Sequence, residues 1–196
     1  MTETVLAALL AAGASRRLGQ PKQLLRIGEQ TLLAHNAAQL HEATGEAPLV
    51  VLGYRSNDML AALGDVDCMV AHNADWASGM ASSIAVAARA VPASVSGLLI
   101  AVCDMPRVGV AHYRTLIDRH RAAPNAVVAA GYPHGPGVPA VFPTGWRERL
   151  LQLSGDQGAR TLLTDNATEI AVDLGEAALD IDTPDDLRGL TRTIEH

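Results

Sequence analysis

Val5-Leu6-Ala7-Ala8-Leu9-Leu10-Ala11-Ala12-Gly13-Ala14-Ser15-Arg16-Arg17-Leu18-Gly19-Gln20-Pro21-Lys22 passes from an unbroken apolar segment straight into a loop of small residues and three cations. Val5 to Leu10 reads as a strand buried on both faces, the pattern of an inner strand in a parallel sheet. The loop that follows exposes backbone N–H groups and concentrates Arg16, Arg17 and Lys22 in a chain whose net charge is −6. Bare amides and cations gathered after a first strand predict a polyphosphate site. Pro21 stiffens the approach to Lys22 and has no N–H of its own. The loop holds neither Gly-Lys-Ser/Thr nor Gly-x-Gly-x-x-Gly, so the two commonest nucleotide loops are excluded on spacing.

Beyond this loop, apolar runs alternate with helical patterns. Leu49–Gly53, Val66–Val70 and Leu98–Cys103 read as strands; Thr31–His41, Asn57–Leu63, Met80–Ala90 and Val110–Arg121 read as helices. Short strands follow at Ala126–Ala130, Ala140–Phe142 and Glu169–Val172. The βαβα order predicts an α/β fold of three layers, a mainly parallel sheet covered by helices on both faces, with residues 1–196 as one domain. Gly131 to Pro143, with its Gly and Pro residues, reads as a shaped loop and short strand. In such sheets ligands bind at the carboxyl ends of strands. Three polar clusters are expected there: the loop from Ala11, the segment Ala71–Trp76, and Asp104.

The chain has 196 residues, 48% hydrophobic but 3% aromatic, so Leu, Val, Ile and Ala must pack the core. No apolar run is long enough to span a bilayer, and Val5–Ala12 lacks the basic lead-in of a secretory signal. Cys68 and Cys103 lie in apolar segments without metal-ligand spacing, which predicts buried thiols in a reducing, cytoplasmic setting. The acidic balance and the lack of basic-aromatic clusters argue against nucleic acid as a partner.

Leu98 to Cys103 ends in Asp104-Met105-Pro106. An ionised carboxylate at that depth needs a cation or hydrogen bonds; the two readings are a Mg²⁺ ligand and an acceptor for backbone N–H groups of the turn. In His72 to Ile84, Ser78 is a candidate N-cap, Gly79 allows close approach to the first turn, and Trp76 suits stacking or core packing equally. Near the end, Thr183, Pro184, Asp185 and Asp186 suit the start of a helix. That leaves Asp182, or else Asp180, as a second carboxylate for metal. Asp156 and Arg160 read as a pair on a helix surface. No arrangement of Ser, His and Asp suggests a protein nucleophile, which fits direct phosphoryl chemistry.

Taken in order, Leu10 to Lys22, Asn73…Trp76…Gly79-Met80…Ser82-Ser83, Asp104-Met105-Pro106, Gly137 to Phe142, Ser154 to Arg160 and Asp180 to Leu187 resemble the molybdopterin nucleotidyltransferases, the molybdenum cofactor cytidylyltransferases most of all. The resemblance implies a Rossmann-like nucleotidyltransferase fold and Mg²⁺-dependent transfer of CMP from CTP to the terminal phosphate of Mo-molybdopterin, releasing pyrophosphate. It places Ala11, Ala12 and Gly13 at the nucleotide, with Asn73, Gly79 and Ser82 helping to hold it. Arg16 and Lys22 would act on the phosphates, and Asp104 and Asp182 on the metal. It implies that Gly131–Phe142 and Gly155–Arg160 shape the acceptor side, and that a molybdenum hydroxylase or its maturation chaperone is a partner. Leu10-Ala11-Ala12-Gly13, where guanylyltransferases of this group carry Leu-Ala-Gly-Gly, favours cytidine through one methyl group, a modest discriminator. Two alternatives stay open: a guanylyltransferase or a nucleotidyltransferase for a sugar phosphate or other phosphate acceptor, and a non-catalytic nucleotide-responsive protein that delivers cofactor.

Overall fold

The first strand forms where expected. In the computed structural model, which describes residues 4–16, 18–133, 135–156, 158–163 and 169–175, β1 spans Val5–Leu10 and every one of its residues is buried. A two-residue hairpin, β2 (Arg26–Ile27) and β3 (Gln30–Thr31), leads into α1 (Leu32–Thr44). Thr31 caps α1, its Oγ1 accepting from the Ala34 N–H at 3.1 Å, and Gly45 ends it in the left-handed region at φ +73°. Then come β4 (Leu49–Leu52), α2 (Ser56–Leu63), β5 (Met69–His72), α3 (Met80–Arg89), β6 (Gly97–Val102) and α4 (Val110–Ala122). The last described elements are β7 (Val127–Tyr132), β8 (Gly135–Pro143), α5 (Arg147–Leu151), α6 (Arg160–Leu163) and β9 (Glu169–Asp173).

The strands join in the order β5-β4-β1-β6-β8-β7-β9. β5, β4, β1 and β6 are parallel; β8 runs antiparallel to both β6 and β7, and β9 is parallel to β7. On one face α1 packs against both α2 and α4, and on the other α3 packs with α5. The mainly parallel, helix-flanked sheet is therefore present. The core is aliphatic, with Leu9, Leu33, Leu52, Leu99 and Ile100 fully buried, as the low aromatic content requires. Small residues on α3 (Ala81, Ala85, Ala87, Ala88) let that helix lie close to the sheet.

Three local expectations are corrected. The third parallel strand is Met69–His72, not Val66–Val70. It is an edge strand, and Met69 and Val70, which make the run look buried, are exposed. Residues 135–143 form a nine-residue strand inside the sheet, not a loop with a short strand. Pro136 and Pro143 stand in the register opposite Gly131 and Gly97, whereas Pro139 is accommodated by an irregularity: Ala129 pairs with Ala140 but Ala130 with Gly137, so Val138 and Pro139 bulge out of the ladder where no N–H is required. Ser78 does not cap α3. It closes a short 3₁₀ turn, its Oγ donating to the Asp75 carbonyl at 2.7 Å, while Gly79 occupies the cap position. Arg17, Asp180, Asp182 and the predicted cap at Thr183–Asp186 lie outside the described residues. Among the described residues no helix is long and apolar enough to cross a membrane.

Candidate active site

β1 and β6 lie side by side with Leu10 opposite Val102, and their chain connections leave toward opposite edges of the sheet. That is the switch point at which an open α/β sheet forms a crevice. A cavity of about 600 Å³ opens there, lined by the loop after β1, by Cys103 and Asp104 after β6, and by the segment from Trp76 to Met80. Ala12, Gly13, Arg16, Lys22, Gly79 and Asp104 all line it; Ala11, Asn73 and Ser82 stand behind the wall.

The loop is defined by its carbonyls. Ala11 and Gly13 carbonyls accept from Gln23 Nε2 at 2.9 and 2.8 Å, and the Ala12 carbonyl accepts from the Tyr54 N–H at 3.0 Å. Ser15 sits at φ +50° and its Oγ accepts from the Lys22 N–H at 3.1 Å. Among the described residues, nothing accepts a hydrogen bond from the N–H of Ala12, Gly13, Ala14, Ser15 or Arg16. Five consecutive donors left unmet beside a cavity form a nest for an anion. Gln23 was not visible in the sequence as a functional residue: it is a buried polar side chain whose partners lie 10 and 12 residues earlier.

Across the cavity, Lys22 Nζ donates to Asp104 Oδ2 at 2.6 Å. Both side chains are largely buried, so the pair is not an ordinary surface ion pair. Asp104 Oδ1 is buried and has no hydrogen-bond partner. The turn that carries it is held from behind. Asn36 on α1 donates Nδ2 to the Cys103 carbonyl at 3.3 Å and to the Leu32 carbonyl at 3.0 Å. Both cysteines are free; Cys103 is buried and Cys68 half-buried. Burial and the neighbouring Asp104 push the Cys103 thiol up to about 12, which removes it as a nucleophile.

The third wall is a hydrogen-bonded corner. Buried Asn73 donates Nδ2 to Ser82 Oγ at 2.8 Å and to Ser83 Oγ at 2.9 Å, and its Oδ1 accepts from the Asp75 N–H at 3.0 Å. Asn73 therefore fixes the start of α3. Gly79 has φ +116°, and a Cβ there would collide with the Gly155 carbonyl. That carbonyl accepts from the Ala81 N–H at 3.2 Å, so the Gly155 turn is seated on the helix start. Asp156 follows in this turn and lines the cavity. It precedes α6, which begins at Arg160, so the two residues do not share a helix face as expected. Trp76 also lines the cavity, with its ring 5.3 Å from Tyr54. A Cβ on Gly53 would lie 2.5 Å from Trp76 Cβ and 2.9 Å from Ala12 Cβ, so Gly53 lets the aromatic wall close on Ala12 of the first loop.

Fit to a divalent cation rests on Asp104. Mg²⁺ takes one or two carboxylates and completes its octahedron with water and phosphate oxygens. A buried carboxylate oxygen without a partner, beside an anion nest, meets that requirement. Among the described residues no group of three metal-ligating side chains occurs.

The geometry agrees with what related proteins are. A family model described as the MobA-like NTP transferase domain matches residues 7–170. The chain belongs to this family. The nicotine blue oxidoreductase of Paenarthrobacter nicotinovorans is 33% identical over 168 residues, 81% of each chain. The molybdenum cofactor cytidylyltransferase of Escherichia coli K12 is 27% identical over 183 residues, 91% of each. The crystal structure of Rv0371c from Mycobacterium tuberculosis H37Rv superposes with a TM-score of 0.83 at 31% identity over 100% of both chains. A structure of the same protein in complex with manganese gives 0.80 at 29%, covering 97% of this chain and 99% of that one. The Rossmann-like nucleotidyltransferase fold that the resemblance implied is thereby established for this chain.

Proposed function

We propose that this MobA-like NTP transferase moves a nucleoside monophosphate from a nucleoside triphosphate to a phosphate group of an acceptor and releases pyrophosphate. The observation that carries this reading is the nest of five unmet N–H groups at residues 12–16, in the same cavity as the unpartnered Asp104 oxygen. In the proposed reaction an acceptor phosphate oxygen attacks the α-phosphorus in line. One phosphoanhydride bond forms, the bond to the β-phosphate breaks, and pyrophosphate leaves with the electron pair. The nest and Arg16 bind the polyphosphate. Lys22, which donates to Asp104, neutralises the leaving phosphates. Asp104 would hold Mg²⁺, with Asp182 or Asp180 as the second carboxylate. A bound divalent cation supplies Lewis-acid neutralisation of the phosphate oxygens. The manganese complex of the Mycobacterium tuberculosis relative supports a divalent ion in this fold.

Within that reading the donor is CTP and the acceptor Mo-molybdopterin, supported by the Escherichia coli relative and the Ala12 methyl group. The acceptor is the least constrained part. The described residues among 131–142 do not line the cavity, and the site supports a phosphate acceptor in general. The 33% identity to nicotine blue oxidoreductase favours a second reading, an oxidoreductase acting on nicotine blue. Against it, the loop lacks the dinucleotide fingerprint, and an unpartnered carboxylate oxygen beside backbone donors suits a metal-bound phosphate. One experiment separates them. Pyrophosphate release is followed with CTP, GTP and ATP against Mo-molybdopterin and a panel of sugar and alcohol phosphates, beside bleaching of nicotine blue by NADH or NADPH. Pyrophosphate release with any acceptor supports transfer, and the preferred pair names the reaction. Bleaching without pyrophosphate release overturns it.

A further inference from the structure

Gln23 is the polar side chain of the first loop that is both buried and in the cavity wall. Its two N–H bonds go to carbonyls two residues apart, Ala11 and Gly13, at 2.9 and 2.8 Å. Its Oε1 accepts from Ser15 Oγ at 3.4 Å, and that same Oγ receives the Lys22 N–H at 3.1 Å. One amide therefore collects three points of the loop and ties them to the backbone of the neighbouring lysine.

The peptide plane converts this into a statement about donors. In a planar trans peptide the C=O of one residue and the N–H of the next point in opposite directions and turn together. Holding the Ala11 and Gly13 carbonyls fixes the N–H groups of Ala12 and Ala14 on the side away from Gln23. The Ala12 carbonyl, held by the Tyr54 N–H at 3.0 Å, fixes the N–H of Gly13 in the same way. None of these three N–H groups has an acceptor among the described residues. Left to itself, a loop of small residues loses much conformational freedom when it orders around a ligand.

We propose that Gln23 is a positioning residue for the polyphosphate: through the carbonyls of Ala11 and Gly13 it presets the N–H groups of Ala12 and Ala14 as phosphate donors. This inference rests on the nucleotide reading of the cavity. It predicts a defect that scales with the number of phosphates and is absent for the nucleoside, a pattern that a loss of general stability would not produce.

The test titrates tripolyphosphate, CTP, CMP and cytidine, each with Mg²⁺, into wild type and Gln23→Met by calorimetry. Circular dichroism and thermal melting check that the variant is folded. Tripolyphosphate and CTP are expected to bind at least about ten-fold more weakly, CMP less affected, cytidine unchanged within about two-fold. In turnover, KM for the triphosphate rises with that loss while kcat changes by less than about three-fold. A folded Gln23→Met chain that binds tripolyphosphate like wild type overturns the proposal and leaves the nucleotide reading standing. Gln23→Glu, which keeps the length but sets a carboxylate against the two carbonyls, serves if Met does not fold; wild-type affinity there overturns the proposal equally. If wild type takes up neither tripolyphosphate nor CTP, the nucleotide reading falls and Gln23 with it.

Discussion

Two cavities of nearly equal size lie at opposite ends of the central sheet. One, of about 600 Å³, sits at the carboxyl ends of β1 and β6; the other, of about 580 Å³, lies at the start of β6 among Ser96, Asn125, Trp146 and Arg149. Volume does not distinguish them; hydrogen bonding does. At the second, the Thr144 N–H donates to the Ser96 carbonyl at 3.1 Å and Ser96 Oγ to the Thr4 carbonyl at 3.3 Å. The Arg149 guanidinium lies 4.6 Å over the Trp146 ring. These groups hold the end of the sheet together. At the first, the chain uses Gln23 and Tyr54 to occupy carbonyls and leaves donors and a carboxylate oxygen unmet. One buried unmet atom does not mark a site: His120, whose Nε2 lies 3.5 Å from Ser96 Oγ, also has a buried Nδ1 with no hydrogen-bond partner. What sets the first cavity apart is a run of five backbone donors without acceptors next to a buried carboxylate oxygen, a pairing that an anion and its counter-cation would complete.

The contrast is most directly broken at Asp104. Asp104→Asn keeps the shape but removes the charge and one acceptor at the unpartnered oxygen. We expect pyrophosphate release to fall by about 10² to 10³, with circular dichroism unchanged. Turnover within ten-fold of wild type would mean that the carboxylate is structural and that the two cavities differ less than their bonding suggests. Next is Gly79→Ala. A side chain at φ +116° costs about 1–3 kcal/mol in backbone strain, and its Cβ meets the Gly155 carbonyl besides. Urea unfolding should show a loss of about 3 kcal/mol or more, and the Asp156 turn should leave the first cavity. At the second cavity, Arg149→Ala should cost only about 0.5–1 kcal/mol in the same measurement. Affinity for triphosphate should be unchanged; weakened nucleotide binding would show that the ends are coupled.

The same contrast explains what the sequence could and could not reveal. β1, β6 and α1 are readable because their signals are local, unbroken apolar runs and a helical pattern, although α1 runs on to Thr44 beyond the expected His41 before Gly45 ends it. Lys22 and Asp104 were readable as chemistry, though not as a bonded pair, since 82 positions separate them. β5 misled because Met69 and Val70 are apolar yet exposed on the sheet edge. β8 hid because prolines suggest a loop, and only the pairing with β7 creates the bulge that tolerates Pro139. Ser78 looked like a cap because the positive φ of Gly79 cannot be seen in letters. Gln23 was silent for a deeper reason. A glutamine after a lysine reads as surface, and its burial follows from the folded path of the loop it closes.

The smallest expected effect concerns the support behind the first cavity. His35 on α1 hydrogen-bonds to the Pro106 backbone, in the turn just after Asp104, and burial lowers its pKa from 6.5 against the raising effect of that bond. Above pH 6.5 the ring is neutral in folded and unfolded chains alike, and its contribution is fully present. As pH falls from 6.5 through the lowered folded value, the unfolded chain takes up the proton first, so stability is lost in that window. Urea midpoints between pH 8 and pH 5.5 should therefore fall more for wild type than for His35→Gln. The protection factor of the Val108 amide, which donates to the Met105 carbonyl, should fall in acid before that of the Thr144 amide, which donates to the Ser96 carbonyl. An equal loss of protection at the two ends would show that His35 reports on the whole fold, whereas a loss confined to the Asp104 turn ties its protonation to the support of the first cavity.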